Sequence, residues 1–140
     1  MVYRLRYRVL NTKGWSLYSP VSSLLVAGVP DRPGKPKIES TSTSDIVLSF
    51  TPSVSNGGSP ILRYDLFFRP ESSSTFSAVA SYLGQLMAHT MTASHGLQAG
   101  EIHYFKLRST NDVGDSEYSP EASAAFAPLP AALTPAPWVV

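Results

Sequence analysis

With 140 residues and 43% hydrophobic content, the chain can bury one ordinary core and is too short for two complete domains of typical size. Eleven Lys and Arg against ten Asp and Glu leave a net charge of +1, which excludes an overall field that would recruit nucleic acid or an anionic membrane. The absence of cysteine removes disulfides, thiolate metal sites and thiol nucleophiles, without fixing the compartment.

Residues 1–12 are basic but alternate, with Arg4, Arg6 and Arg8 on one side and Leu5, Tyr7 and Val9 on the other. That pattern predicts a strand and not the continuous apolar stretch of a signal peptide, and no run reaches membrane-spanning length. A glycine turn at Gly14 and an apolar stretch Leu24–Ala27 follow, and Pro30, Pro33 and Pro36 mark a join, since proline removes ladder donors and stiffens a connection. Ile46, Leu48 and Phe50 alternate with Asp45, Val47 and Ser49, a strand with one apolar face. Thr51–Pro60 is turn-rich, and Asn56-Gly57-Gly58 supplies positive φ at low cost.

The next strand runs from Ile61 to Arg69. Tyr64, Leu66 and Phe68 share one face of it, and Arg63, Asp65, Phe67 and Arg69 share the other. Weaker strands are predicted over Phe76–Leu83 and Ala88–Ala93, and Leu97 and Gly100 frame a corner. His103, Phe105, Leu107 and Ser109 then alternate with Tyr104, Lys106 and Arg108, and a last strand is predicted from Tyr118 to Phe126. No segment shows helical spacing, so the fold class is all-β.

Sliding the sequence against itself by 100 positions gives an ungapped match. Arg8, Asn11, Gly14, Ser16, Tyr18, Ser19, Pro20, Ser23 and Ala27 recur as Arg108, Asn111, Gly114, Ser116, Tyr118, Ser119, Pro120, Ser123 and Ala127. A period of about 100 residues is that of a whole sandwich domain, well above the roughly 20 to 50 of a solenoid unit. Residues 1–28 are therefore expected to be the closing strands of one repeat, residues 29–128 a complete repeat, and residues 129–140 a Pro/Ala-rich linker toward a further domain. Two strands cannot close a sandwich, so Leu5, Tyr7, Val9 and Leu24–Ala27 need a cover. Upstream sequence of the same chain is the preferred one, and a sheet in another chain is the alternative.

Leu97-x-x-Gly100, an alternating strand ending at Asn111, and Gly114-x-Ser116-x-Tyr118-Ser119 together resemble the end of a fibronectin type III domain. Gly57-Gly58-x-Pro60-Ile61-x-x-Tyr64-x-Leu66 resembles the entry to that family's third strand, and Pro33–Pro36 resembles its start. The resemblance implies an immunoglobulin-like β-sandwich of about seven antiparallel strands. Two departures stand out. Phe50 occupies the place of a buried tryptophan, and His103 that of the corner tyrosine, which the first copy keeps as Tyr3. A neutral imidazole can make a similar bond to nearby backbone, so acid is expected to loosen that corner.

Chemistry is sparsely represented. His89, His95 and His103 match no zinc spacing, Gly57-Gly58 reads as a turn and not a phosphate cradle, and the serines lack nucleophile-elbow spacing. The expectation is a non-enzyme with no cofactor, no metal and no catalytic residues. Two candidate contact regions remain. Arg63, Phe67 and Arg69 are expected beside Tyr104, Lys106 and Arg108 on the outer face of a three-stranded sheet, residue types that favour protein contacts. The competing reading is that these cations keep an exposed sheet soluble and pair with Asp65. The loop Val113-Gly114-Asp115 is the second candidate; in the family such a hairpin can present an acidic tripeptide to adhesion receptors. The first copy, Lys13-Gly14-Trp15, carries no acid there, which argues against a shared receptor role.

The resemblance implies a noncatalytic protein-interaction or spacer module in a larger tandem-repeat adhesion or scaffold protein. Its expected partners are other proteins and neighbouring repeats, with no nucleic acid and no direct membrane insertion by this segment. An extracellular or cell-surface setting is the first expectation, with a cytoskeletal or ciliary assembly as alternative. An accessory domain of a secreted carbohydrate-active enzyme and a receptor ectodomain are the competing functions. No Asn-x-Ser/Thr glycosylation site occurs.

Overall fold

A computed structural model describes residues 1–127. The expected linker 129–140, with Pro130, Pro135 and Pro137, and the boundary residue Pro128 lie outside the described residues.

The chain opens with β1 (Val2–Leu5), β2 (Leu10–Asn11), β3 (Gly14–Trp15) and β4 (Ser22–Leu25). Strand β1 pairs antiparallel with β4, and β2 with β3 across a turn. The second unit contains β5 (Lys37–Thr41), β6 (Asp45–Ser49), β7 (Ile61–Pro70), β8 (Ser77–Ala78), β9 (Ala88–Thr92), β10 (Glu101–Asn111) and β11 (Ala122–Phe126). These seven strands form two antiparallel sheets, β5-β6-β9 and β11-β10-β7-β8. The architecture is the expected β-sandwich.

Between the sheets lie Ile46, Leu48 and Phe50 from the β6 side and Tyr64, Leu66, Phe105, Leu107 and Phe126 from the other, with Met91 and Leu97. Alternation explains the choice, because a pleated strand turns every second side chain to the same face. Phe50 packs edge-on against Tyr82 at 5.4 Å, so the ring in the tryptophan position keeps an aromatic neighbour. Gly57 and Gly58 have φ of 70° and 89°, as the turn reading requires.

Three expectations are corrected. The outward row of cations belongs to a four-stranded sheet, because β8 adds to the edge of β7. The strand expected over Phe76–Leu83 shrinks to Ser77–Ala78. Beyond it Tyr82 N–H donates to the Val79 carbonyl at 3.1 Å and its hydroxyl to the Leu86 carbonyl at 2.6 Å, so the chain turns. The last strand starts at Ala122 and not Tyr118, because the serine hydroxyls of Ser116 and Ser119 replace main-chain acceptors there and Pro120 has no N–H to give.

The 100-residue period is visible in hydrogen bonds. Ser16 N–H donates to Val9 C=O and Ser116 N–H to Ser109 C=O, each at 2.8 Å; Ser19 N–H donates to Tyr7 C=O and Ser119 N–H to Leu107 C=O, also at 2.8 Å. In return the Ser16 and Ser116 hydroxyls accept from Val9 and Ser109 N–H, both at 3.0 Å, and the Ser19 and Ser119 hydroxyls from Tyr7 and Leu107 N–H at 3.1 and 2.9 Å. The two copies differ in cover. Phe105 and Leu107 are 0% exposed, whereas their equivalents Leu5 and Tyr7 are 55% and 72% exposed.

Candidate interaction face

Strand register alone brings the six expected side chains together. Tyr104 stands opposite Arg69, Lys106 opposite Phe67, Arg108 opposite Asp65 and Thr110 opposite Arg63, all pointing away from the core. Arg63 is exposed, Thr110 is buried and the others are half-buried.

These cations are internally engaged. Asp65 takes Arg63 Nε on one carboxylate oxygen and Arg108 Nε on the other, each at 3.1 Å. Arg108 Nη1 also reaches Asp115 at 2.9 Å, and Arg69 lies 3.6 Å from Glu121. Burial works to lower the Arg108 pKa, yet the Asp65 hydrogen bond and the charges of Asp115, Tyr118 and Asp65 leave it above its ordinary value.

Aromatic rings complete the row. Lys106 Nζ sits 3.9 Å from the ring centres of both Phe76 and Tyr118, Arg69 stacks over Tyr104 at 4.1 Å, and Phe67 meets Tyr118 edge-on at 5.3 Å. The sequence reading omitted Phe76 and Tyr118 from this face. Tyr118 was signalled by its recurrence as Tyr18, which Arg6 and Arg8 approach at 4.0 and 5.1 Å, while Arg8 also lies 4.1 Å from Trp15. Residues 1–28 contain no Asp or Glu, so the first copy's arginines have aromatic partners without carboxylates from their own segment.

The loop Val113-Gly114-Asp115 presents its acid differently from an outward-facing tripeptide. Thr110 Oγ1 donates to Asp115 at 2.7 Å and Arg108 holds the other oxygen, so the carboxylate lies back on the sheet, while Val113 is exposed. Gly114, at φ 153°, is a turn glycine, as is Gly14 at 129°.

The three histidines fall in two places. Ser81 Oγ lies 2.8 Å from His95 Nε2 and 3.5 Å from His89 Nε2. Thr92 N–H donates to His95 Nδ1 at 2.9 Å, which assigns the ring proton to Nε2 and leaves that atom a donor to serine instead of a metal ligand. Burial, then the neighbouring His95, lowers the His89 pKa. Among the described residues no group of three or more His, Cys, Asp or Glu is arranged to hold a metal, and no helix is long and apolar enough to cross a membrane. His103 lies elsewhere, in the corner, where its Nε2 accepts from Gln98 N–H at 3.1 Å.

A family model described as the fibronectin type III domain matches residues 31–125, the stretch that holds the seven-stranded sandwich. This chain belongs to that family. The fibronectin type III sequence is 29% identical over 153 aligned residues to protein sidekick-2 of Mus musculus, covering 99% of this chain and 6% of that protein. It is 27% identical over 93 residues to a titin homolog of Caenorhabditis elegans, covering 66% of this chain and, in whole percent, 0% of that protein. The crystal structure of titin domains A168–A170 has a TM-score of 0.67 at 23% identity, covering 84% of this chain and 38% of that one, a likeness of fold. The chain is thus homologous to modules of multidomain proteins and spans a small part of the length of these relatives.

Proposed function

We propose that this chain is a noncatalytic protein-interaction or spacer module of a larger tandem-repeat adhesion or scaffold protein. Residues 1–28 are the closing strands of one fibronectin type III repeat, residues 29–128 the next repeat, and residues 129–140 the linker onward. The observation that carries this reading is the set of serine and main-chain hydrogen bonds recurring 100 residues apart. Segments with one backbone pattern have one inner row to bury, and in the second copy that row is dry. Upstream strands of the same repeat are the natural cover for Leu5, Tyr7 and Leu24.

Amide hydrogen exchange on the natural-length protein tests this. The expected result is protection of Tyr3 and Leu5 in β1 comparable to that of Phe105 and Leu107, independent of protein concentration. Absent protection, or protection that appears only as chains associate, overturns it.

Within the module, Arg63, Phe67, Arg69, Tyr104, Lys106 and Arg108 form the partner-binding row, with Val113 of the Val113-Gly114-Asp115 loop at its margin. Aromatic and guanidinium groups fixed by neighbours lose little freedom on binding, which supports this use. The partners are other proteins. Arg63 is the accessible cation, so Arg63→Glu is expected to weaken partner binding at least about tenfold while leaving the unfolding midpoint in place. Unchanged binding would assign the row to solubility and stability alone. The setting is extracellular or cell-surface, with a cytoskeletal or ciliary assembly as the alternative that fractionation of the natural protein distinguishes.

A further inference from the structure

The joint between the two copies has almost no slack. Val26 N–H donates to Met1 C=O at 2.9 Å, the last such bond of the first unit, and Gly28 N–H donates to Gly57 C=O at 2.8 Å in the second. Only Ala27 lies between. Asp31 N–H then donates to Ser55 C=O at 3.0 Å and Gly34 N–H to Thr51 C=O at 3.1 Å. Pro30 and Pro33, each just before one of these donors, are buried, as is Pro36. The proline run expected to act as a spacer is sewn along the edge of the second repeat.

One side chain gathers the segments that meet here. Asn111 is 3% exposed, and its Nδ2 donates to Gly28 C=O at 2.8 Å and to Asn56 C=O at 2.9 Å. Its Oδ1 accepts from Val113 N–H at 2.9 Å and Gly114 N–H at 3.1 Å. Both donors and both acceptor positions of the amide are therefore used. The backbone approach is close enough to demand glycine, since a Cβ on Gly57 would stand 2.3 Å from the Gly28 oxygen and 2.5 Å from that of Val29. A Cβ on Gly58 would lie 3.4 Å from the Val26 oxygen and 3.5 Å from the Met1 nitrogen, so the end of the first hairpin rests on this loop.

We propose that the pole formed by Asn56, Gly57, Gly58 and Asn111 is a docking surface for the C-terminal end of the preceding repeat, and that Asn111 locks the joint so that successive repeats keep one orientation. The proposal rests on the tandem-repeat reading and extends it from a string of modules to a stiff one. Asn11 stands in the same place in the first copy. Its Oδ1 accepts from Lys13 N–H at 2.8 Å, the counterpart of the Asn111–Val113 bond, while its Nδ2 has no partner among the described residues. The same amide is thus poised to hold the segment that enters the first repeat.

Asn111→Asp separates the two halves of the role, because it keeps an oxygen for the Val113 and Gly114 amides and sets a carboxylate against the Gly28 and Asn56 carbonyls. Hydrogen exchange on the natural-length protein reads the joint at the Gly28 amide and the fold of the second repeat at Tyr64, which donates to Gly84 C=O at 2.8 Å, and at Leu107. Asn111→Asp is expected to speed Gly28 exchange at least about tenfold, because the Gly28 and Asn56 carbonyls both lose their hydrogen bond to the amide, with a smaller change at Tyr64 and Leu107. Asn11→Asp is expected to leave Gly28 unaffected. Unchanged Gly28 protection in Asn111→Asp, equal loss of protection at all three sites, or a Gly28 amide already unprotected in the wild type would overturn the lock. Failure of the tandem-repeat reading shows elsewhere, as unprotected β1 amides in the wild type.

Discussion

Acidification should destabilise the second repeat through His103. The imidazole is 0% exposed, its Nε2 accepts from Gln98 N–H at 3.1 Å, and its Nδ1 has no hydrogen-bond partner. A proton added at Nε2 would face an N–H donor in a dry site. Burial accordingly lowers the His103 pKa from 6.5, against a smaller opposing pull from the Glu101 carbonyl and carboxylate. With no hydrogen-bond partner at Nδ1 to offset it, burial governs.

The sign follows from proton linkage. A histidine whose folded pKa lies below its unfolded value contributes stability above the unfolded pKa and loses it as pH falls, because the unfolded chain takes up the proton first. The expected loss from His103 is about 1.4 kcal/mol for each pH unit below about 6.5 until the folded ring also titrates, and near zero above about pH 7.5. Urea unfolding of wild type and His103→Tyr between about pH 5 and 7.5 measures it. His89 shifts in the same direction and remains in both proteins, so the difference between the two curves isolates His103. Parallel curves would refute the argument.

The serine bonds can be tested by position. Ser116→Ala leaves the buried Ser109 N–H without its acceptor and is expected to cost about 1–3 kcal/mol in urea unfolding, whereas Ser16→Ala, at an exposed position in this chain, should cost under about 0.5 kcal/mol. Equal effects would show that the hydroxyls do not act by filling a dry ladder. Removing the ring between Lys106 and Phe67 in Tyr118→Ala is expected to lower stability by about 1–2 kcal/mol, and Tyr118→Phe, which keeps the ring face, by much less. Equal losses from the two substitutions would remove cation stacking as the cause.

Alternation carried most of the fold in the sequence. Ile46, Leu48, Tyr64, Leu66, Phe105 and Leu107 fall at every second position of their strands, and each is buried as that spacing requires. Phe76–Leu83 misled because apolar residues also line a turn. Tyr82 is buried by folding back to Leu86, a local arrangement with no period of two. The start of the last strand was missed because Ser116 and Ser119 bond through side chains, which a pattern of apolar and polar positions does not register.

By itself, then, the sequence determined the all-β class, most of the strands and the inner row, since those depend on spacing along one chain and on the exclusion of water from one face. It also placed the six outer residues side by side. Tertiary structure decided what they do with one another: Asp65 divides its oxygens between two arginines, and Phe76 inserts beside Lys106. It alone disclosed the contacts of Asn111, whose amide joins carbonyls 83 and 55 residues away. Such partners are set by how two loops and an incoming strand pack at one pole, and nothing in the local period of a strand encodes that distance.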